Sequence, residues 1–436
     1  MRLLAASLLG LCVLGCTTDP GLAPPPTHGD AGPLLGDSSL PIGEPTYYGV
    51  VDDLLAAHCL GCHSAAGGGI APFDLDTYET ASVASGAMAR ATAARIMPPF
   101  YANNDGSCQT FEDHGRWLTD EEIAILDTWD RNGHPMGDPN STPPSTMPSP
   151  VIDSPDVTIQ VPAPFTPAPI GNDPNEIRCF VVDTDVTADS FITSYEVRPG
   201  APAVVHHVIV YEPESDADAT QAAGMQSSDG RAGYACPGGP VVPAHPVALW
   251  APGGHRTDYP TDTGLALPAA RRLIIQIHYN LSSVMTAMTP TPADQTSIRF
   301  VTTASVTRPA QMLLLSQNSL TLPPHQETVM SDPRTMSSPA TGTIWGVFPH
   351  MHTLGTGLNV TVAHAGASTC ALQLNHWDFG WQQGYFYDTA HPLAVTAHDR
   401  ITIQCQYDTM SASDTTVFGE GTENEMCLAF FYVTAS

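Results

Sequence analysis

The chain has no lysine. Its 15 basic residues are all arginine, set against 44 aspartates and glutamates, and the formal net charge is −29 at neutral pH. Cations this sparse cannot neutralise a run of phosphates, which excludes nucleic acid as a partner and argues against electrostatic capture by a membrane. The balance describes a soluble, self-repelling, exported protein. Long apolar runs are missing too: beyond the first sixteen residues nothing is long and apolar enough to span a bilayer. Only one CxxC occurs, so a zinc site built from two such pairs is excluded. Punctuation, by contrast, is plentiful. The 36 glycines and 41 prolines imply many turns and long linkers, while 42% apolar residues suffice for real cores. At 436 residues, two to four domains are expected.

The N-terminus reads "MRLLAASLLGLCVLGC": Arg2, a short apolar run, then small residues before Cys16. The run is too short for a transmembrane helix, so residues 1–15 are expected to be a signal peptide. "VLGC" resembles the bacterial lipobox, which implies lipidation at Cys16. Thr17 carries no acidic inner-membrane retention signal. The expected location is therefore the bacterial cell envelope, lipid-anchored at the outer membrane on its periplasmic or surface face, where disulfides persist.

Residues 16–45 are rich in Pro and Gly and should form the anchor and a flexible tether. Helical spacing begins at "YYGVVDDLLAAHCLGC", and "LTDEEIAILDTWDRNG" opens with a capping box, Thr119 as N-cap and Glu122 at N3, with Gly133 as its stop. A helical domain over 46–136 follows. Residues 137–176 are Pro- and Ser-rich and read as a linker. From 177 onward, short β-rich runs alternate with turn residues, as in "AVVHHVIVYE", "RRLIIQIHYN" and "DRITIQCQYD". That much antiparallel β is too large for one small sandwich and predicts two, over 177–304 and 305–436.

"AAHCLGCHSAAGGG" places Cys59, Cys62 and His63 in the CxxCH arrangement. Two thiols one turn apart can add to the two haem vinyl groups, and the adjacent imidazole then reaches the iron. One covalent c-type haem is expected. For the sixth ligand, "ARIMPPF" offers Met97 on a Pro-stiffened loop, with Met88 and Met136 as competitors. The segment resembles small cytochromes c in which "MPP" precedes an "LTDEEI…W…G" helix, and that resemblance favours Met97.

The β region holds a second set of metal-type side chains. "VFPHMHTLGTGLNV" puts His350 and His352 at i and i+2, on one face of a strand. "PAVVHHVIVYE" supplies His206 and His207, "LIIQIHYN" supplies His278, and "GEGTENEMCLAFFYV" supplies Met426 beside Cys427. A lone His in such runs is more often a core residue; five, with a Met, are hard to attribute to packing. His206 and His207 are adjacent, so a regular strand sends them to opposite faces. They can share one ion only if the strand bulges or ends there. Spacing alone leaves zinc open for a three-His site, but a redox-active neighbour favours copper. Two imidazoles and a thioether suit Cu(I).

In order, HH, "QIHY", HxH and "EMC" resemble the copper type II ascorbate-dependent monooxygenases, the family of dopamine β-monooxygenase and the peptidylglycine hydroxylating enzymes. The resemblance covers most of 177–436, including "WAPGG…TDTGLAL" and "GYFYDTAHP". It implies two jelly-roll-like sandwiches behind the small all-α cytochrome c domain. It also implies an electron-transfer copper on His206, His207 and His278, and a copper on His350, His352 and Met426 where dioxygen meets the C–H bond. Dioxygen and a reductant, ascorbate or a periplasmic electron donor, would be co-substrates. Two disulfides are implied as well, Cys405–Cys427 and Cys179–Cys236, while Cys108 and Cys370 are left either free or bridged to each other.

Departures from the family point to the substrate. Peptide-amidating relatives carry an Arg two residues before the HxH pair, where this chain has Phe348. Leu428 and Phe430 replace polar residues after the Met-Cys pair. A carboxylate held there would lack a partner at a cost of several kcal/mol, so the expected substrate is a neutral, partly apolar small molecule rather than a peptidylglycine. The leading expectation is a haem–copper hydroxylase of aliphatic or benzylic C–H bonds. The alternative is a non-catalytic copper-binding electron-transfer lipoprotein, and a surface adhesin with vestigial metal sites is a third reading.

Overall fold

A computed structural model describes residues 44–64, 73–104, 106–112, 117–141, 151–252, 254, 256–421 and 423–436. The expected signal peptide, the lipidation position Cys16 and nearly all of the tether lie outside the described residues. Among the described residues no helix is long and apolar enough to cross a membrane.

Three helices, Val51–His58, Tyr78–Ala93 and Asp120–Arg131, form a small unit around Val51, Leu55, Met88, Leu126 and Trp129. The capping box is present: Thr119 N donates to Glu122 Oε2 at 2.7 Å, and Glu122 N donates to Thr119 Oγ1 at 3.2 Å. Asp120, Glu121 and Glu122 complement the positive end of that helix dipole. Gly133, with φ +76°, takes the left-handed conformation that ends the helix.

The remainder is mostly β-sheet. One ten-stranded sheet runs through both halves, in the order Val157–Gln160, Ser297–Thr303, Ser190–Arg198, Thr263–Leu267, Arg308–Ser316, Leu428–Ala435, Gly342–His350, Tyr385–Phe386; the short strands Thr257–Asp258 and Leu393–Val395 pair alongside. The halves join where Thr263–Leu267 pairs in parallel with Arg308–Ser316. A five-stranded sheet containing Asn175–Val182, Leu273–Asn280 and Val205–Pro213 packs on the first half, and another containing Arg400–Tyr407, Gly355–His364 and Ala367–Leu374 packs on the second. The expected pair of sandwiches therefore shares one continuous sheet. Leu428–Ala435 shows why its sequence reads as an unbroken apolar run: Phe430 and Tyr432 enter the core of the first half, Ala429, Phe431 and Val433 that of the second. A strand buried on both faces has no polar face to show.

Two boundaries differ from expectation. The 137–176 stretch is not simply a linker, because Val157–Gln160 pairs along Ser297–Thr303 and Ile152, Val161 and Phe165 are buried. Pro and Ser density concealed a four-residue edge strand, the position where Pro is tolerated. Residues 100–112, expected within the helical domain, lie instead on the second sandwich: Ala102 bridges Leu374, Phe111 bridges Tyr387, and Cys108 is disulfide-bonded to Cys370. That bond settles the two cysteines left open by sequence. The other disulfides are Cys179–Cys236 and Cys405–Cys427.

Candidate metal centres

His206 and His207 begin the Val205–Pro213 strand, and the neighbouring Leu273–Asn280 strand brings His278 alongside. Register passes from Val205 opposite Tyr279 to His207 opposite His278, so His206 is the extra residue of a bulge. This distortion turns both adjacent imidazoles to one side. The ligand-type nitrogens of His206, His207 and His278 all lie within 4.8 Å of one another. His278 donates through Nε2 to Asn175 Oδ1 at 2.8 Å, and its buried Nδ1 has no hydrogen-bond partner; His206 Nε2 is likewise buried and unpartnered. Buried polar atoms are nearly always satisfied, so the orphaned His278 Nδ1 in this trio, with the His206 and His207 Nδ1 atoms facing each other at 3.2 Å, fits a metal ion.

His350 ends the Gly342–His350 strand, and His352 follows two residues later, their ring centroids 5.2 Å apart. Each is held through Nδ1: His350 to Gln382 Oε1 at 2.7 Å, His352 to the Asn424 carbonyl at 3.0 Å. Both acceptors are oxygens, so Nδ1 carries the proton and Nε2 is left as the ligand atom. His350 sits opposite Leu428, where the paired register ends, and Met426, two residues before Leu428, lines the same cavity as His350. Glu425 ties the two segments together. Its Oε2 accepts from His352 N at 2.9 Å and Met426 N at 3.2 Å, and its Oε1 accepts from Leu354 N at 2.6 Å. Burial pushes the Glu425 carboxyl up to about 7 against the downward pull of those donors.

The two sets of side chains are not remote from each other. The His207 and His350 rings lie 5.7 Å apart, and Phe379 stacks on His206 at 4.5 Å while meeting His352 edge-on at 5.9 Å. Burial is the first cause, and neighbouring imidazoles the second, of the depressed pKa values of His206, about 4, and His350, about 3. His207 and His278 are driven well below the usual histidine range by the same effects. The imidazoles are therefore neutral at physiological pH, the form that binds metal.

A cavity opens onto this cluster. His207, His350, Met426, Phe348, Leu428 and Phe430 all line it. Among the described residues no arginine does so. Besides the imidazoles and the Tyr211 phenol, Glu420 lines it, and burial raises its carboxyl. Sequence reading missed Glu420, Glu425, Gln382 and Phe379. For Glu425 a signal existed, an acidic residue directly before Met426 at the mouth of an apolar strand; for the others there was none.

In the helical unit, Cys59 and Cys62 take part in no disulfide, and the turn is closed by His63 N donating to Cys59 O at 2.9 Å. His63 Nδ1 bonds the Phe73 carbonyl at 3.0 Å, which directs Nε2 outward as an axial ligand requires. The thiols, the turn and the tautomer fit a covalent haem. Met88 is buried in the helical core, whereas Met97 and Met136 are exposed.

Residues 164–285 match the family described as copper type II ascorbate-dependent monooxygenase, N-terminal domain, and residues 308–434 match its C-terminal domain. A curated mouse (Mus musculus) protein, DBH-like monooxygenase protein 2, is 24% identical over 246 residues, which are 52% of this chain and 38% of that protein. This chain thus spans well under half the length of that relative. Among solved structures, the VP2 subviral particle of infectious bursal disease virus is 11% identical over 65% of this chain and 73% of that one, with a TM-score of 0.18. The Gx strain of the same virus is 12% identical over 68% and 76%, also at 0.18. Scores this low carry no argument.

Proposed function

The chain carries both domains of the copper type II ascorbate-dependent monooxygenase family, and from that premise we propose that it hydroxylates a C–H bond of a neutral, partly apolar small molecule. One oxygen atom enters the substrate and the other leaves as water, consuming two electrons and two protons. In this reading His206, His207 and His278 hold one copper, and His350, His352 and Met426 hold the other. The two ions would supply electron transfer and dioxygen activation respectively. The observation that carries the reading is the buried trio His206, His207 and His278, whose ligand-type nitrogens lie within 4.8 Å of one another and in which His278 Nδ1 has no hydrogen-bond partner.

The chain's own residues do the rest. Gln382 and the Asn424 carbonyl hold the His350 and His352 rings by their Nδ1 protons, and Glu425 fixes the Met426 backbone to that of His352. Phe348, Leu428 and Phe430 exclude water and offer no counter-charge to a carboxylate. A c-type haem bound through Cys59, Cys62 and His63, with Met97 as sixth ligand, would supply or relay the electrons. The chain would act as a lipoprotein anchored through Cys16 in the cell envelope, with a periplasmic donor reducing the haem.

The test is dioxygen uptake and product analysis by the full chain, loaded with copper and haem, against a panel of neutral alkyl and aryl compounds. Hydroxylated product from wild type, and none from Met426→Ala with the three-His copper retained, is the expected result. Equal behaviour of the two proteins, with no product from either, would replace the hydroxylase with the electron-transfer lipoprotein.

A further inference from the structure

Residues 100–104 and 106–112 lie between the second and third helices of the helical unit and are fixed to the second sandwich at several points. Cys108 is bonded to Cys370, and Asn103 N donates to Gln373 O at 2.8 Å. Glu112 N donates to Phe386 O, and Asp388 N returns a bond to Thr110 O, both at 2.9 Å. Phe111 stacks on Tyr387 at 5.3 Å, and Phe100 meets Tyr385 edge-on at the same distance. The segment so clamped, 385–388, continues directly from the turn that presents Gln382 to His350 Nδ1. Within the turn Gln382 Nε2 donates to the Phe379 carbonyl and Trp381 N to the Asp378 carbonyl, both at 3.0 Å, and beyond it Tyr387 N donates to Trp345 O at 2.8 Å. The Tyr385–Phe386 strand is joined to the sheet by two register pairs, Gly346 with Phe386 and Val347 with Tyr385.

We propose that the 100–112 strap is a positioning element for His350. By holding 385–388 from outside, it fixes the Gln382 turn and hence the tautomer and aim of the imidazole. The haem-motif unit and the proposed copper site are then mechanically coupled through one covalently fastened strap, rather than linked only by a flexible tether. The argument is a chain of contacts: a hydrogen bond at 2.7 Å orients a ligand only if its acceptor is itself held, and outer partners of this kind change metal affinity by about 10–100-fold. The proposal rests on His350 being a copper ligand in the proposed function.

The experiment uses the full chain as wild type, as the double variant Cys108→Ser/Cys370→Ser, and as Phe111→Ala, with Phe111→Leu as the conservative control. Hydrogen exchange of amides 102–112 reports release of the strap, and that of the Gly342–His350 strand reports whether the sandwich stays folded. If the double variant does not fold, Phe111→Ala carries the test. In metal-free protein, the His350 ring nitrogen resonances are expected to move toward a tautomer mixture while those of His278 stay put. With Cu(I) titrated against a chromogenic chelator, one of the two affinities, the one missing from His350→Ala, should fall by about tenfold, with Phe111→Leu close to wild type. A released strap with unchanged His350 resonances would overturn the proposal. Wild type taking up fewer than two copper ions would instead count against the proposed function, and the metal-free resonances alone would then decide the role of the strap.

Discussion

Replacing Glu425 with Gln removes one of two carboxylate oxygens that between them serve three backbone donors, His352 N and Met426 N, which are buried, and Leu354 N, which is half-buried. Glutamine offers one oxygen and one NH2. Its least unfavourable placement keeps the oxygen on the His352 and Met426 amides and turns the NH2 toward Leu354 N, leaving that N–H unserved. An orphaned buried donor costs about 1–3 kcal/mol. Removing a carboxylate whose ionisation burial already opposes offsets part of that, so the expected net is roughly 1–2 kcal/mol, a factor of about 5–30 in local opening. Glu425→Ala orphans all three donors and should cost about three times as much, comparable with the stability of a whole domain. Hydrogen exchange at the His352 and Leu354 amides of metal-free protein reads the effect locally. Protection within twofold of wild type in both variants would refute the idea that Glu425 holds the two ligand segments together.

Other outcomes follow from the same geometry. Because His206 and His350 bind protons only near pH 4 and 3 in the folded state, against about 6.5 when unfolded, the unfolded chain takes up more protons in between. The four depressed imidazoles outweigh the opposite contribution of the raised Glu425 and Glu212 carboxyls, so metal-free protein should lose stability as pH falls from 6.5 toward 4; a urea midpoint that stays flat or rises over that range contradicts this. Cys405→Ser with Cys427→Ser opens a loop of 22 residues and should lower stability by about 3 kcal/mol, read from urea unfolding. Cys59→Ala with Cys62→Ala should abolish covalent haem in a pyridine spectrum of protein matured in a cytochrome c-competent host. Peptides ending in glycine should not be amidated, since Phe348, Leu428 and Phe430 give their carboxylate no partner; efficient turnover would refute that.

Much of the candidate site was legible because the side chains it brings together come from short segments with strong local grammar. An adjacent His pair can share one ion only if the strand bulges or ends there, and the bulge is found at His206; the HxH segment reads as one strand, but the strand ends at His350 and His352 lies beyond it. The helix from Asp120 was legible from its cap. What the sequence concealed was non-local. Nothing in "YANNDGSCQTFE" shows that Cys108 reaches Cys370, 262 positions away. Nor does "TIQV" in a Pro-rich stretch show that it will pair with Ser297–Thr303. The imidazole trio and the His350, His352 and Met426 set read as separate centres, yet the sheet running through both halves brings the His207 ring to 5.7 Å from that of His350. Register between distant strands decides such proximity, and periodicity carries no information about it.

The most direct measurement is copper stoichiometry on the full chain, by metal analysis after Cu(I) loading and desalting, for wild type and for His206→Ala/His207→Ala. The account expects two ions in wild type and one in the variant, the remaining ion being lost only when Met426 and His352 are also replaced. One ion or none in wild type, or two still present without His206 and His207, would contradict it.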